Sequence, residues 1–161
     1  MKTSVYIFAG LLIGCSTLVA AAYAAESYEI TNCGASTVTT ISTSQELTVL
    51  SIDTKGIARS DAANKAFDNE TYHCAAVVTV AGGQWNGRGY CKFMDPDGDF
   101  LVGETTPDSP GGGKWKFLQG MGKWKGITGS GQYVSLTSGK PIVEGTNQGC
   151  AKATGTYDIS K

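Results

Sequence analysis

Residues 74–94, CAAVVTVAGGQWNGRGYCKFM, decide the architecture. Gly82-Gly83 is a favourable two-residue hairpin turn between an apolar run, Ala75 to Ala81, and a second run, Gln84 to Met94. Pairing Ala81 with Gln84 sets Val80 opposite Trp85, Val78 opposite Gly87, Ala76 opposite Gly89 and Cys74 opposite Cys91. All of these share one face, because side chains alternate along a strand. The other face carries Thr79 with Asn86 and Val77 with Arg88. Apolar alternation and cysteine placement therefore agree on one register and favour a Cys74 to Cys91 bridge.

The remaining cysteines depend on how the chain begins. Lys2 supplies a positive charge, Val5 to Val19 is almost continuously apolar, and Ala22-Tyr23-Ala24 fits a signal peptidase site. The spacing predicts a signal peptide over 1–24, a single domain over 25–161, and no integral membrane segment in the mature chain. An alternative is lipid anchoring through Cys15, because Leu12-Ile13-Gly14-Cys15 is similar to a bacterial lipobox. Cleavage after Ala24 leaves Cys33, Cys74, Cys91 and Cys150 in an oxidising, secreted or periplasmic setting. With Cys74 and Cys91 paired, Cys33 and Cys150 tie the first and last parts of the mature chain.

Strand signals continue on both sides of the hairpin. Ser27 to Thr31, Ser36 to Ile41, Glu46 to Asp53 and Asp99 to Glu104 read as strands. So do Lys114 to Leu118, Lys123 to Gly129, Gly131 to Thr137, Pro141 to Glu144 and Ala153 to Ile159. Between Ser60 and Tyr72 the pattern suggests a short helix through Ala62, Ala63, Ala66 and Phe67, or else a long loop. Asp95-Pro96-Asp97-Gly98 reads as a turn, and Thr105 to Gly113 as a connection. About eight short strands with hardly any helix indicate an all-β fold, a small antiparallel closed barrel.

Composition narrows the function classes. The chain has 161 residues with 13 basic and 14 acidic side chains, so the electrostatic case for nucleic acid is missing. It has 22 glycines but only four prolines, which fits sharp bends in short strands rather than a collagenous repeat or a flexible tail. Asp95, Asp97 and Asp99 are the only dense carboxylate cluster, yet Phe100 stands where an EF-hand loop needs glycine and Thr106 where it needs glutamate. A solvated turn is the better reading, and neither a metal nor a cofactor is expected. His73 and Cys74 are strand neighbours and so face opposite ways, which disfavours a nucleophile pair. No Gly-x-Ser-x-Gly elbow is present. Asn69-Glu70-Thr71 is a glycosylation sequon by pattern.

Gly113-Lys114-Trp115-Lys116 recurs as Gly122-Lys123-Trp124-Lys125, and alternation puts Trp115 and Phe117 on one face with Lys114 and Lys116 on the other. Gln119-Gly120-Met121-Gly122-Lys123-Trp124-Lys125-Gly126-Ile127-Thr128-Gly129-Ser130-Gly131-Gln132-Tyr133 resembles the GGTGKYxGIxGxGxY segment of secreted bacterial proteins with an allene oxide cyclase barrel-like domain. Gly89-Tyr90-Cys91 leading into Asp95-Pro96-Asp97-Gly98-Asp99, and the closing Gly155-Thr156-Tyr157, are also similar. Gln119 and Met121 replace the glycine and threonine of the family's turn, and no catalytic residue of the plant cyclases maps onto this chain. The resemblance implies a closed barrel of about eight strands, a width that side chains fill or that holds one small ligand.

Two functions follow from these observations. The first is a binding module for a small hydrophobic molecule, with Trp85, Tyr90, Trp115, Trp124 and Tyr133 as ligand-binding residues beside Phe93 and Phe117. The second is an isomerase or cyclase acting on an apolar substrate inside the barrel. That reaction needs an ionisable group in the interior, and Glu46, Glu104 and Glu144 are the unassigned acids.

Overall fold

The computed structural model describes residues 25–160, so the signal peptide expected over 1–24, with Cys15, lies outside the described residues. The chain forms β1 (Glu26–Thr43), β2 (Thr48–Ser60), β3 (Thr71–Ala81), β4 (Gln84–Met94), β5 (Phe100–Ser109), β6 (Gly112–Gly120), β7 (Ile127–Ser138) and β8 (Thr146–Ile159). Each strand pairs antiparallel with the next, and β8 returns to β1, closing an eight-stranded barrel in simple up-and-down order. Closure removes the free sheet edges that an open sheet of Val, Thr and Ser strands would leave for aggregation.

The hairpin has the expected register. Ala81 faces Gln84 and Cys74 faces Cys91, and the two cysteines are bonded with Cα atoms 4.0 Å apart. Gly82 and Gly83 take φ of +55° and +77°, which an L side chain seldom adopts, and so give the turn the twist that matches its strands. Cys33 is bonded to Cys150 where β1 meets β8. Cys74 and Cys91 both line the barrel interior, whereas of the second pair Cys150 borders it and Cys33, between the interior-lining Asn32 and Gly34, does not.

Several boundaries differ from the sequence reading. Ser27 to Thr31 and Ser36 to Ile41 belong to one 18-residue strand, because Cys33-Gly34-Ala35 continues the ladder with both neighbours. The connection expected over Thr105 to Gly113 shrinks to a turn at Pro110-Gly111, and Pro141 to Glu144 is loop rather than strand. No helix forms between Ser60 and Tyr72. The segment runs as consecutive turns, with Lys65, Phe67 and Asn69 at positive φ. Asp68 anchors it, accepting hydrogen bonds from the Ser60 backbone N–H at 2.9 Å and from Arg59 Nε at 3.0 Å. The second Lys-Trp-Lys is likewise not strand: Gly122–Trp124 is a single 3₁₀ turn between β6 and β7.

These turns close one end of the barrel. Phe67 is inserted from the β2–β3 segment and stacks on Trp124 with ring centroids 4.7 Å apart. It also meets Tyr157 at 5.1 Å, Tyr28 at 5.3 Å and Phe117 at 5.6 Å. Ile30, Ala58, Phe93, Leu101 and Ile127 complete this buried cluster. Leu101, in this cluster, is among the most deeply buried side chains. Burial of each such aliphatic or aromatic group is worth about 1.5–3 kcal/mol, so this end carries most of the hydrophobic stabilisation.

Candidate functional site: the hollow half of the barrel

Beyond the aromatic plug the barrel is empty. A cavity of about 430 Å³ runs from the plug toward the end that carries the β1–β2, β3–β4, β5–β6 and β7–β8 connections. That volume lies within the range of small-molecule sites. Its composition changes along its length. Next to the plug the wall is aromatic and aliphatic, from Tyr28, Phe93, Leu101, Trp115 and Phe117. Toward the open end β1 to β4 contribute Val38, Leu50, Ile52, Ala76 and Trp85, whereas β5, β7 and β8 contribute Ser109, Ser135, Thr137 and Asn147. Ser135, Thr137 and Ser138 line the cavity and are also exposed, which locates the opening.

Alternation decides which aromatics take part. Trp85, Trp115 and Tyr133 line the cavity. Trp115 lies across the inner wall where Gly103 stands opposite, because a Cβ at Gly103 would collide with the indole ring. The Tyr133 hydroxyl accepts a hydrogen bond from Thr105 Oγ1 at 3.0 Å, and burial pushes its pKa upward. Trp124 is buried in the plug and does not border the cavity. Tyr90 is a correction to the candidate set: it pairs with Ala75 on the outward face of the hairpin and is 49% exposed. Its neighbours Gly89 and Cys91 stand one position away, and Cys91 takes the inner side.

The acids named from the sequence all lie away from the interior. Glu46 and Glu144 are exposed in connections at the open end. Glu104 sits on the outer wall, with Lys116 Nζ at 3.3 Å and Arg88 at 3.8 Å. The carboxyl that does border the cavity is Glu70, which no sequence motif singled out. It is 1% exposed, and neither of its oxygens has a hydrogen-bond partner. Glu70 precedes β3, and its carbonyl accepts from the Ala58 N–H at 2.8 Å, so it extends the inner face of Tyr72, Cys74 and Ala76 by one step. Burial, reinforced by the negative charge of Asp95 and partly offset by Lys123, pushes its pKa up to about 8. Glu70 therefore holds its proton at neutral pH.

Tyr28 and Asn32 add two more polar atoms to the wall. The Tyr28 hydroxyl and the Asn32 side-chain oxygen are buried without partners, and burial raises the Tyr28 pKa to about 12. The acidic turn behind Glu70 is by contrast fully engaged. Burial alone would raise the Asp95 pKa, but the Lys123 ammonium, 2.6 Å from Oδ2, and the Asp97 and Asp99 N–H groups outweigh it, so the net direction is down. The Lys123 contact is close but poorly angled for a hydrogen bond, so it acts as an ion pair. Asp99 accepts instead from the Lys123 N–H at 3.0 Å. These carboxylates are spent on fixing the turn. Among the described residues no group of three or more His, Cys, Asp or Glu side chains is placed to hold a metal ion. His73 lies on the outer wall beside Asp53, and Cys74 is oxidised.

No family model matches the chain, and no curated protein sequence matches it. One solved structure does. It is a pterocarpan synthase dirigent protein. The match covers 85% of this chain and 90% of that one, at 9% identity and a TM-score of 0.47. At that identity no residue role passes from one chain to the other.

Proposed function

We propose that this protein is a secreted or periplasmic binding barrel that takes one small apolar molecule into its hollow half. The observation that carries the reading is the cavity itself, a largely apolar space closed by aromatics at one end and open between hydroxyl-bearing strands at the other. Such a site draws an apolar guest out of water by burying its surface, while the polar rim stays hydrated. The two cross-strand disulfides fit an oxidising compartment and hold the wall in shape without a large core. The glycine-rich segment from Gln119 to Tyr133 supports placement near the allene oxide cyclase barrel-like proteins.

Titration with the neutral dye N-phenylnaphthylamine, whose emission rises in apolar surroundings, tests this reading. We expect saturable one-to-one binding that is lost when Val38→Trp obstructs the mouth. A dye response that stays linear in the wild type, or one unaffected by that substitution, contradicts it.

A second reading, an isomerase or cyclase, is favoured by one observation: a buried carboxyl, Glu70, borders the apolar cavity in surroundings that favour its neutral form. That is the arrangement acid catalysis on a buried substrate uses.

A further inference from the structure

A buried carboxyl without a partner is expensive, because it has given up water and received no hydrogen bond in return. Glu70 is in that position with both oxygens. Phe67 and Tyr72 of its own segment line the same cavity, while Asp95 and Lys123, the charged groups near it from the β4–β5 turn and the 3₁₀ turn, are paired with each other. The space left beside it is the closed end of the cavity, whose wall includes Glu70. A guest in that space is placed to accept its proton.

We propose that the closed end of the cavity is a one-acceptor subsite: the guest is an apolar molecule carrying a hydrogen-bond-accepting oxygen, such as a ketone, at its buried end, and the Glu70 carboxylic acid donates to it. This deepens the binding reading above and rests on it. Donation needs the neutral acid, which the buried surroundings favour at neutral pH. Ionised, Glu70 would offer only acceptors to the guest's oxygen and would repel it. The rest of the wall is largely apolar, with the Tyr28 hydroxyl and the Asn32 oxygen as its other unpartnered polar atoms and no second charged group pointing inward among the described acids. Glu70 therefore discriminates at the guest's oxygen. Replacing the guest's oxygen by a methylene group of similar shape leaves the donor unpaired again, and a site of that kind typically rejects such an analogue by tenfold or more.

The test uses two neutral fluorescent probes of nearly the same shape, methyl naphthyl ketone and isopropenylnaphthalene, in which a methylene replaces the ketone oxygen. At about pH 6 the wild type should bind the ketone at least about tenfold more tightly, and the preference should vanish at about pH 10, on the far side of the Glu70 titration. The Asp95–Lys123 pair, with Asp95 shifted down and Lys123 shifted up, keeps its charges between those limits. Glu70→Met should abolish the preference while keeping isopropenylnaphthalene bound, and Glu70→Gln, which still donates, should keep a preference that no longer depends on pH. Should Glu70→Met fail to fold, the pH arm on the wild type decides alone. Equal affinity for the two probes in the wild type at about pH 6 overturns the subsite and leaves the binding barrel standing. Binding of neither probe overturns the binding reading.

Discussion

The two ends of this barrel are built from the same eight strands and differ in what their inward positions carry. At the closed end the interior positions hold Tyr28, Phe93, Leu101, Phe117 and Tyr157, and two connections add Phe67 and Trp124 from outside the sheet. In the open half the corresponding positions hold Ser36, Val38, Ala76, Ser135 and Thr137, and Pro110-Gly111 of the β5–β6 turn borders the space without an aromatic side chain to fill it. Small side chains on a wall of fixed diameter leave a void, and large ones remove it. The barrel has thus separated its tasks: one half supplies the core and the other supplies room. Stability and binding should respond to substitutions at opposite ends.

Large effects are expected at the plug and at the bridges. Phe67→Ala removes a ring that stacks on Trp124 and touches three further aromatics, and should lower the unfolding free energy by about 3–5 kcal/mol. Ser135→Ala at the mouth should stay within about 0.5 kcal/mol, as expected for an exposed position. Denaturant unfolding of both variants checks the contrast, and equal losses would dissolve it. The disulfides follow. Cys33→Ser with Cys150→Ser opens a link spanning 117 residues and should destabilise by about 4–5 kcal/mol on loop entropy. Cys74→Ser with Cys91→Ser opens one spanning 17 residues and should lose about 3 kcal/mol. Midpoints of urea unfolding for the two double variants give the order, and the reverse order would show that the hairpin bridge supports the cavity wall more than the seam.

A pH effect is expected from two groups at the closed end, Glu70 and Asp95. Glu70 has its pKa raised from 4.5 to about 8 in the folded protein, so between those values the native state retains a proton that the unfolded chain has released. This group's contribution therefore makes stability fall as pH rises through that window. Asp95 behaves in the opposite sense. Its pKa is lowered, so its contribution is present above its ordinary value and is lost in acid. Unfolding measured across the window should show the decline in the wild type and a flatter profile in Glu70→Gln. An unchanged slope in that variant would assign the dependence to another group. Smallest is the effect of Tyr90→Ala: because this side chain lies outside the barrel, probe affinity should change by less than about twofold.

How far the sequence discloses this arrangement depends on the range of the interaction involved. The β3–β4 hairpin is legible because a two-residue turn fixes register locally, and two cysteines meeting in that register confirm it from within the same 21 residues. Closure is legible only through the overall strand rhythm and the pairing left for Cys33 and Cys150. The plug is not legible. Phe67 enters the core from a segment whose turn conformations place three non-glycine residues at positive φ, which composition does not announce. Trp115 and Trp124 share a local sequence, but Gly122 and Gly126 at φ of +62° and +82° take the second out of the strand. Glu70 had a usable signal: stepping back by twos from Cys74 through Tyr72 reaches it on the same face, provided the strand is extended past its apolar part. The same rule applied to Tyr90 sends it outward. Grouping aromatics by type rather than by parity conceals both.

The most direct measurement is the set of intermolecular nuclear Overhauser contacts between bound N-phenylnaphthylamine and the protein. A guest in the hollow half predicts contacts to Trp85, Trp115 and Tyr133, with none to Trp124 or Tyr90. Contacts confined to the outer wall, at Tyr90 and Val77, would contradict the division of the barrel into a packed end and a receiving one.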